Sequence, residues 1–258
     1  MNSKQSHTPV GWDPVADWYD GWVGPHGSHH HRKLAIPAVM SLLEPRPEVQ
    51  ILDVGCGQGV LAPHIADSGA VYTGVDISPK MIAAARRHHP SRGRFLRGDA
   101  RHLNRVSALR PHHFDAAVFL LSIEDINPLE EVIASAAWAL RPAGALVILM
   151  RHPCFRVPRQ SGWGHDEGRK LRYRRVDSYL TPLSVPMKAY EHSRSGTTIS
   201  FHRPLNQYVN ALAAHGFAVD YLDELVTYEQ GQNRAERRAN EEFPLFLVLR
   251  ARSIDPKG

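Results

Sequence analysis

The chain has 258 residues, 43% of them hydrophobic and 22% charged, the balance of a folded globular protein large enough for a sizeable core. No run of eighteen apolar residues occurs, the start MNSKQSHTPV has no apolar stretch of a secretory signal, and two cysteines, Cys56 and Cys154, are too few for a disulfide framework or a four-thiolate zinc site. The expectation is therefore a cytoplasmic protein with no membrane span, and its net charge of +5 is concentrated in residues 151–175, where eight Lys and Arg face only Asp166 and Glu167.

Residues 1–10 carry no periodicity and read as disordered. Residues 12–22, WDPVADWYDGW, are aromatic-rich, with Trp18 and Trp22 on one helical face. The GSHHHR at 27–32 runs without a break into a helical pattern and is taken as native. A helix over about 34–43 ends at Glu44-Pro45-Arg46-Pro47.

From there strands and helices alternate. Strands are expected at 50–54, 71–75, 94–97, 115–121 and 145–150, with helices at 60–67, 79–88 and 128–140; Ser78-Pro79 reads as an N-cap followed by proline in the first turn. Such alternation calls for an α/β fold with helices on both faces of a parallel sheet. Residues 151–203 break the rhythm and read as an insertion, rich in Pro, Gly and aromatics. A helix returns at 204–215, and strands at 217–222 and 246–250 are separated by the charged GQNRAERRANEE.

The stretch ILDVGCGQGV, residues 51–60, carries the chemistry. An apolar strand stops at Gly55, Gly57 and Gly59, so a ligand can lie against the backbone at the start of the next helix. A dinucleotide site wants G-x-G-x-x-G, but the spacing here is G-x-G-x-G, and Val60 stands where the last glycine would be. Asp53 precedes the turn. A carboxylate beside a pyrophosphate is unfavourable, whereas beside an ammonium or sulfonium it is favourable. Asp76 ends the second strand and suits a ribose diol. Asp99 follows the third and can accept a hydrogen bond from an adenine amine.

ILDVGCGQG, GVDISPKMI, GDARHL, FDAAVFLLSIEDI and LRPAGALVILM, in this order, resemble the class I S-adenosylmethionine-dependent methyltransferases, most closely the small-molecule branch of the ubiquinone and menaquinone methylases. The resemblance covers about residues 45–150 and resumes in HRPLNQYVNALAAHGF and FPLFLVLRAR. It implies a three-layer αβα, Rossmann-like fold: a mostly parallel seven-stranded sheet with an antiparallel last strand and an insertion after strand 5. The whole chain is then one domain, with 1–44 as an N-terminal cap, 45–150 as the cofactor-binding core, 151–203 as an acceptor lid and 204–258 as a C-terminal helix and strand hairpin.

The resemblance also implies roles. Gly55, Cys56, Gly57 and Gly59 approach the methionine moiety of S-adenosylmethionine, or of its product S-adenosylhomocysteine, and Asp53 reaches its amino end. Asp76 holds the ribose. Ile77, Ser78 and Met81 belong to the adenine side, with Asp99 and Ala100 on the ring edge and Leu120 and Ser122 beneath the methionine. The aromatic N-terminal segment lies over the cofactor in this family, which brings in Tyr19 or Trp18.

Methyl transfer is an in-line displacement, so the protein chiefly aligns the acceptor and excludes water; a phenol or amine also needs a base. The candidates are Asp125 and Glu124 after strand 4 and His152 after strand 5, with Tyr19, His30 and His202 as further options. Asp125 could equally cap the next helix, and His152 could be a hydrogen-bonded structural residue. Arg156, Arg159 and Trp163 are expected to clamp a carboxylate and stack on an acceptor ring, with His202 beside them. Lys170, Arg172 and Arg174 alternate with apolar residues and are expected to point to solvent. The histidine clusters at 29–31, 88–89 and 112–113 are runs of neighbours without metal-ligand spacing, so no metal is expected.

Cys154 sits where RNA cytosine methylases keep a nucleophile, but their second Pro-Cys is missing. The favoured partner is a small-molecule acceptor rather than nucleic acid, methylated on O, N or C. An RNA methyltransferase and a non-methylating user of S-adenosylmethionine stay open as alternatives.

Overall fold

The computed structural model describes residues 11–188 and 196–254. The expected disorder of residues 1–10 lies outside this range.

The N-terminal segment holds a short helical turn, Asp13–Val15, and helix α1, Ala16–Val23; a wide turn over His31–Ala35 leads into α2, Ile36–Leu43. The alternating core follows: β1 Gln50–Val54, α3 Ala62–Asp67, β2 Val71–Asp76, α4 Pro79–His88, β3 Arg94–Arg97, β4 Phe114–Leu120, α5 Leu129–Ala139 and β5 Leu140–Arg151. The insertion contains β6 Ser161–Asp166, β7 Leu171–Val176, β8 Leu183–Lys188 and β9 Thr197–His202. The chain closes with α6 Leu205–Ala214, β10 Phe217–Leu225, α7 Arg234–Glu242 and β11 Phe246–Ser253.

One seven-stranded sheet has the order β10-β11-β5-β4-β1-β2-β3. β1 to β5 pair in parallel, and β11 runs antiparallel to both β5 and β10. The last strand is therefore the antiparallel one, as expected. Alternate residues feed two cores. Leu52, Phe119, Ile148 and Leu249 pack toward α5 and α6, whereas Ile51, Val118, Leu149 and Val248 pack toward α2 and α3. Burial on both faces is why the strands read as unbroken apolar runs.

Ser78 caps α4 by accepting from the Met81 N–H at 3.2 Å, and Pro79 fills the first turn. β5 starts earlier than the Arg141–Gly144 turn suggested, because Leu140 already pairs with Phe114, and a register shift between Phe114 and Ala116 absorbs the turn.

The insertion is more ordered than its composition implies. It forms two antiparallel hairpins, β6–β7 and β8–β9. β8–β9 hangs over the carboxyl ends of the sheet: Arg151 on β5 donates to the Ser200 hydroxyl at 2.5 Å, and Arg203 donates to the Ile126 carbonyl at 2.7 Å. β6–β7 turns away and packs on α7, through Arg172–Glu236 at 3.4 Å and Trp163 edge-on to Phe243. Arg172 and Arg174 do not point to solvent. Their guanidinium carbons lie 4.4 Å and 5.2 Å from the centre of the Trp163 ring, and Tyr173 takes the more exposed face. Alternation along β7 holds, but the partner of the charged face is an aromatic ring on the neighbouring strand.

No helix among the described residues is long and apolar enough to cross a membrane.

Candidate active site

In the sheet order, β1 leads outward to β2 and β3 on one side and β4 lies on the other, so the crevice at their carboxyl ends is the switch point where α/β sheets bind ligands. A cavity of about 310 Å³ opens there. Every element of the expected cofactor site contributes to it: Asp53, Gly55, Cys56 and Gly57 from β1 and its turn, Asp76, Ile77 and Met81 from β2 and α4, Asp99 and Ala100 after β3, and Leu120 and Ser122 after β4.

The turn brings backbone to the cavity by two devices. Gly55 has φ +72°, and a β-carbon there would lie 2.6 Å from that of Ser122. Gly57 has φ +53° and meets nothing within 4 Å, so its backbone is open to a ligand. Gly59 and Ser78 do not line the cavity. Gly59 faces the Phe95 ring, and the Ser78 hydroxyl donates to Asp13 at 2.8 Å.

Asp53 is 2% exposed; its Oδ2 accepts from the Tyr72 hydroxyl at 2.8 Å and its Oδ1 has no partner. Burial pushes its pKa up to about 7, against the lowering effect of the Tyr72 bond. Asp76 accepts from the Gly57 N–H at 2.9 Å and the Ser78 N–H at 2.8 Å, which fixes both oxygens at the cavity wall. Asp99 accepts from the Arg101 Nε at 3.0 Å, and that hydrogen bonding holds its pKa low.

The cap closes the cavity from above. Asp13, Asp17 and Asp20 bind α4, Asp17 through Lys80 at 2.8 Å and Asp20 through Arg87 and His88, both at 2.7 Å. Gln58 donates to the Gly24 carbonyl. This latch places Trp12 and Tyr19 on the cavity wall, edge to face with centroids 5.1 Å apart. Trp18 instead stacks on Trp22 at 5.7 Å, outside the cavity.

Opposite the nucleotide side the wall is formed by Asp125, Ile126, Ile199 and Phe201, with His31 from below α2. The Asp125 carboxylate has no hydrogen-bond partner among the described residues; the residue's backbone N–H donates to the Ser122 carbonyl at 3.0 Å. Burial, and then the charge of Glu124, raise its pKa well above the carboxylate range. The neighbouring cation, Arg151, is committed to Glu124: its guanidinium Nε pairs with Oε1, and its backbone N–H donates to Oε2 at 2.9 Å. Tyr19 lies in the field of Asp125 and Asp76, and burial with those two charges raises its phenol pKa.

Besides Gly59 and Ser78, five residues expected on the catalytic and acceptor side lie elsewhere. His152 is 1% exposed. Its Nδ1 accepts from the Cys154 N–H at 3.2 Å, so Nε2 carries the proton and donates to Glu224 at 2.6 Å; neither nitrogen is free to act as a base. Arg156 donates to the Pro244 carbonyl at 3.1 Å, and Arg159 to the Pro186 carbonyl at 2.7 Å. Trp163 is enclosed by Arg156, Arg172, Arg174 and Phe243. His202 bonds the Tyr179 carbonyl at 2.7 Å on the side of β9 opposite Ile199 and Phe201. The anion clamp read into these residues is therefore not formed at the cavity: each side chain is spent on holding the insertion together. Trp12, His31, Gln58, Arg101, Ile199 and Phe201 line the cavity without having been foreseen; alternation of Ile199 and Phe201 along TTISFH was the one available signal.

A family model described as a methyltransferase domain matches residues 52–148, the span that carries the glycine turn and all three nucleotide-side carboxylates. Residues 52–148 thus match a methyltransferase domain. A solved S-adenosylmethionine-dependent methyltransferase from Mesorhizobium loti superposes on 84% of this chain and 96% of its own, with a TM-score of 0.68 and 29% identity. The ubiquinone biosynthesis O-methyltransferase of Xylella fastidiosa is 28% identical over 139 residues, and that of Thiobacillus denitrificans 32% over 95. These matches cover 53% and 37% of this chain and 56% and 41% of those proteins, so the chain spans about half or less of each of these relatives. The [4+2]-cyclase SpnF shares the fold at a TM-score of 0.61 and 18% identity, so this methyltransferase architecture also carries other chemistry.

The cavity fits S-adenosylmethionine. The unpartnered Asp53 Oδ1 suits an ammonium, the bare Gly57 backbone admits close approach, and the rigid Asp76 carboxylate suits a vicinal diol.

Proposed function

We propose that the protein transfers a methyl group from S-adenosylmethionine to a small-molecule acceptor bound between the N-terminal cap and the β8–β9 hairpin. The unpartnered buried oxygen of Asp53, a residue of the cavity wall, carries this reading, because a ligand ammonium compensates it with both charge and donor whereas an anionic nucleotide tail would repel it. When bound, S-adenosylmethionine supplies an electrophilic methyl group on a sulfonium.

Asp53 receives the amino group, the Gly55–Gly57 backbone flanks the methionine chain, and Asp76 accepts from the ribose hydroxyls. Ile77 and Met81 enclose the adenine, with Asp99 and Ala100 at its edge, while Leu120 and Ser122 floor the site. Trp12 and Tyr19 cover the reacting region and exclude water. Asp125 takes the proton that an O–H or N–H acceptor must release; burial and the charge of Glu124 make it a stronger base than an ordinary carboxylate.

The ubiquinone O-methyltransferases among its relatives support a small acceptor. The inward engagement of Arg156, Arg172 and Arg174 around Trp163 disfavours a nucleic-acid surface. The free thiols of Cys56 and Cys154 agree with a cytoplasmic setting. Calorimetry with S-adenosylhomocysteine and with NAD tests the reading: micromolar-range binding of the first and none of the second is expected, and the converse overturns it.

A further inference from the structure

We propose that the acceptor is an amine, carried as an alkylammonium on an apolar or aromatic body, and that Asp125 is its counter-ion. The inference rests on the methyltransferase reading of the cavity and names the acceptor class.

Four carboxylates line the cavity, those of Asp53, Asp76, Asp99 and Asp125, against one guanidinium, that of Arg101. Arg101 is taken up by Asp99 at 3.0 Å. Asp76 has two backbone N–H donors, and Asp53 has the Tyr72 hydroxyl and faces the cofactor's amino group under the reading above. The Asp125 carboxylate alone of the four has neither a hydrogen bond nor an ion pair among the described residues; Arg151, whose charge reaches it, is paired with Glu124. A half-buried carboxylate without a partner is under-compensated, and a ligand ammonium supplies the missing partner.

The rest of this wall is aromatic and aliphatic: Trp12, Tyr19 and Phe201, with Ile126 and Ile199. Aromatic faces around a carboxylate favour an organic cation over an anion, through the ring quadrupoles as well as the ion pair. A carboxylate- or phosphate-bearing acceptor would find no free Lys or Arg among the described residues of the wall: Arg156, Arg159 and Arg172 are turned away, and Arg203 is engaged by the Ile126 carbonyl and Asn127.

The chemistry balances without another reagent. The ammonium gives one N–H proton to Asp125. The freed lone pair forms the N–C bond to the methyl group as the C–S bond breaks, and its electron pair stays on sulfur as a thioether.

Calorimetry with the protein saturated in S-adenosylhomocysteine tests this with three matched probes: 2-phenylethylamine, 2-phenylethanol and phenylacetate. The amine is expected to bind at least about tenfold more tightly than the alcohol, with phenylacetate the weakest. Asp125→Asn should bring the amine down to the level of the alcohol, and Phe201→Leu should weaken it while leaving the alcohol within about threefold. Phenylacetate binding most tightly, equal affinity for all three, no amine binding, or an amine affinity untouched by Asp125→Asn each overturns the proposal. S-adenosylhomocysteine binding, measured first, keeps a failure of the acceptor assignment separate from a failure of the methyltransferase reading.

Discussion

Tyr72 on β2 donates its hydroxyl hydrogen bond to Asp53 on β1 at 2.8 Å and leaves the other oxygen of that buried, cavity-lining carboxylate unpaired. The pair is a preformed half-site: one oxygen is oriented by the protein and the other awaits a donor. Its cost in the ligand-free protein shows in the pKa of Asp53, which burial raises to about 7.

That shift links ligand binding to pH. The ammonium of S-adenosylhomocysteine needs Asp53 ionised, so binding below about pH 7 must expel a proton, and affinity should fall about tenfold per unit as pH drops. Above that pH the dependence should flatten. Calorimetry in two buffers of different ionisation enthalpy reads the proton release directly, and Asp53→Asn should remove it while weakening binding at all pH values.

The same shift affects stability with the opposite sign. A carboxylate whose folded pKa is raised contributes fully below its unfolded value of about 3.9, and that contribution is lost as pH rises through about 7. Asp53→Asn, which keeps an acceptor for Tyr72, should therefore raise the Tm of the ligand-free protein at both pH 5 and pH 8 but clearly more at pH 8, because at pH 5 only about a third of the loss between about pH 3.9 and 7 has accrued. Thermal unfolding at the two pH values is the check; an equal change at both would remove the burial account of Asp53.

Asp76 is held by two backbone N–H groups, so its role is separable from that of Asp53. Asp76→Ala should cost about 2–3 kcal/mol of S-adenosylhomocysteine affinity, the loss of a charge-assisted hydrogen-bond pair. A mutant with unchanged affinity would move the ribose elsewhere.

That the glycine turn and the acids after β1, β2 and β3 meet in one cavity was legible in the sequence because local chemistry makes it. A doubly buried strand ending in spaced glycines and an acid at the end of the next strand are short-range patterns that parallel α/β sheets impose. The acceptor side was not legible. His152 stands at the end of β5 as a base would, but Glu224 on β10 takes one nitrogen, and nothing within the sequence near either residue announces that pairing. Arg172 and Arg174 read as solvated because their partner, Trp163, lies on another strand. α7 read only as a charged stretch because Ala239 is its one fully buried residue. Trp12 and Phe201 meet the cavity from segments nearly two hundred residues apart, a proximity that only tertiary folding creates.

The insertion splits into a lid and a brace, and mutations should separate them. Trp163→Ala removes the ring around which Arg156, Arg172 and Arg174 pack, and should cost about 1–3 kcal/mol of stability, with little effect on kcat/KM of the protein that remains folded. Arg159→Ala, which loses only one bond to the Pro186 carbonyl at an exposed position, should be nearly neutral in both denaturant unfolding and turnover. A large rise in acceptor KM with either variant would restore the clamp to the acceptor site.

Asp125 and His152 are the two residues between which the assignment of the base is decided. Asp125 lines the cavity without a partner, and its proton affinity is raised by burial and by the charge of Glu124. His152 is enclosed, burial lowers its pKa, and both nitrogens are bonded. Removing a general base costs on the order of 10²–10⁴ in rate. Asp125→Asn should therefore lower kcat by about that factor, keep S-adenosylhomocysteine affinity within about threefold, and abolish the acidic limb of the rate profile, because the amide neither titrates nor accepts a proton. His152→Asn should leave that limb in place and instead lower the Tm, since it breaks the bond to Glu224 and the seat of the Cys154 N–H. Measured side by side with one acceptor, a lost acidic limb in the His152 variant and a retained one in the Asp125 variant would reverse the assignment.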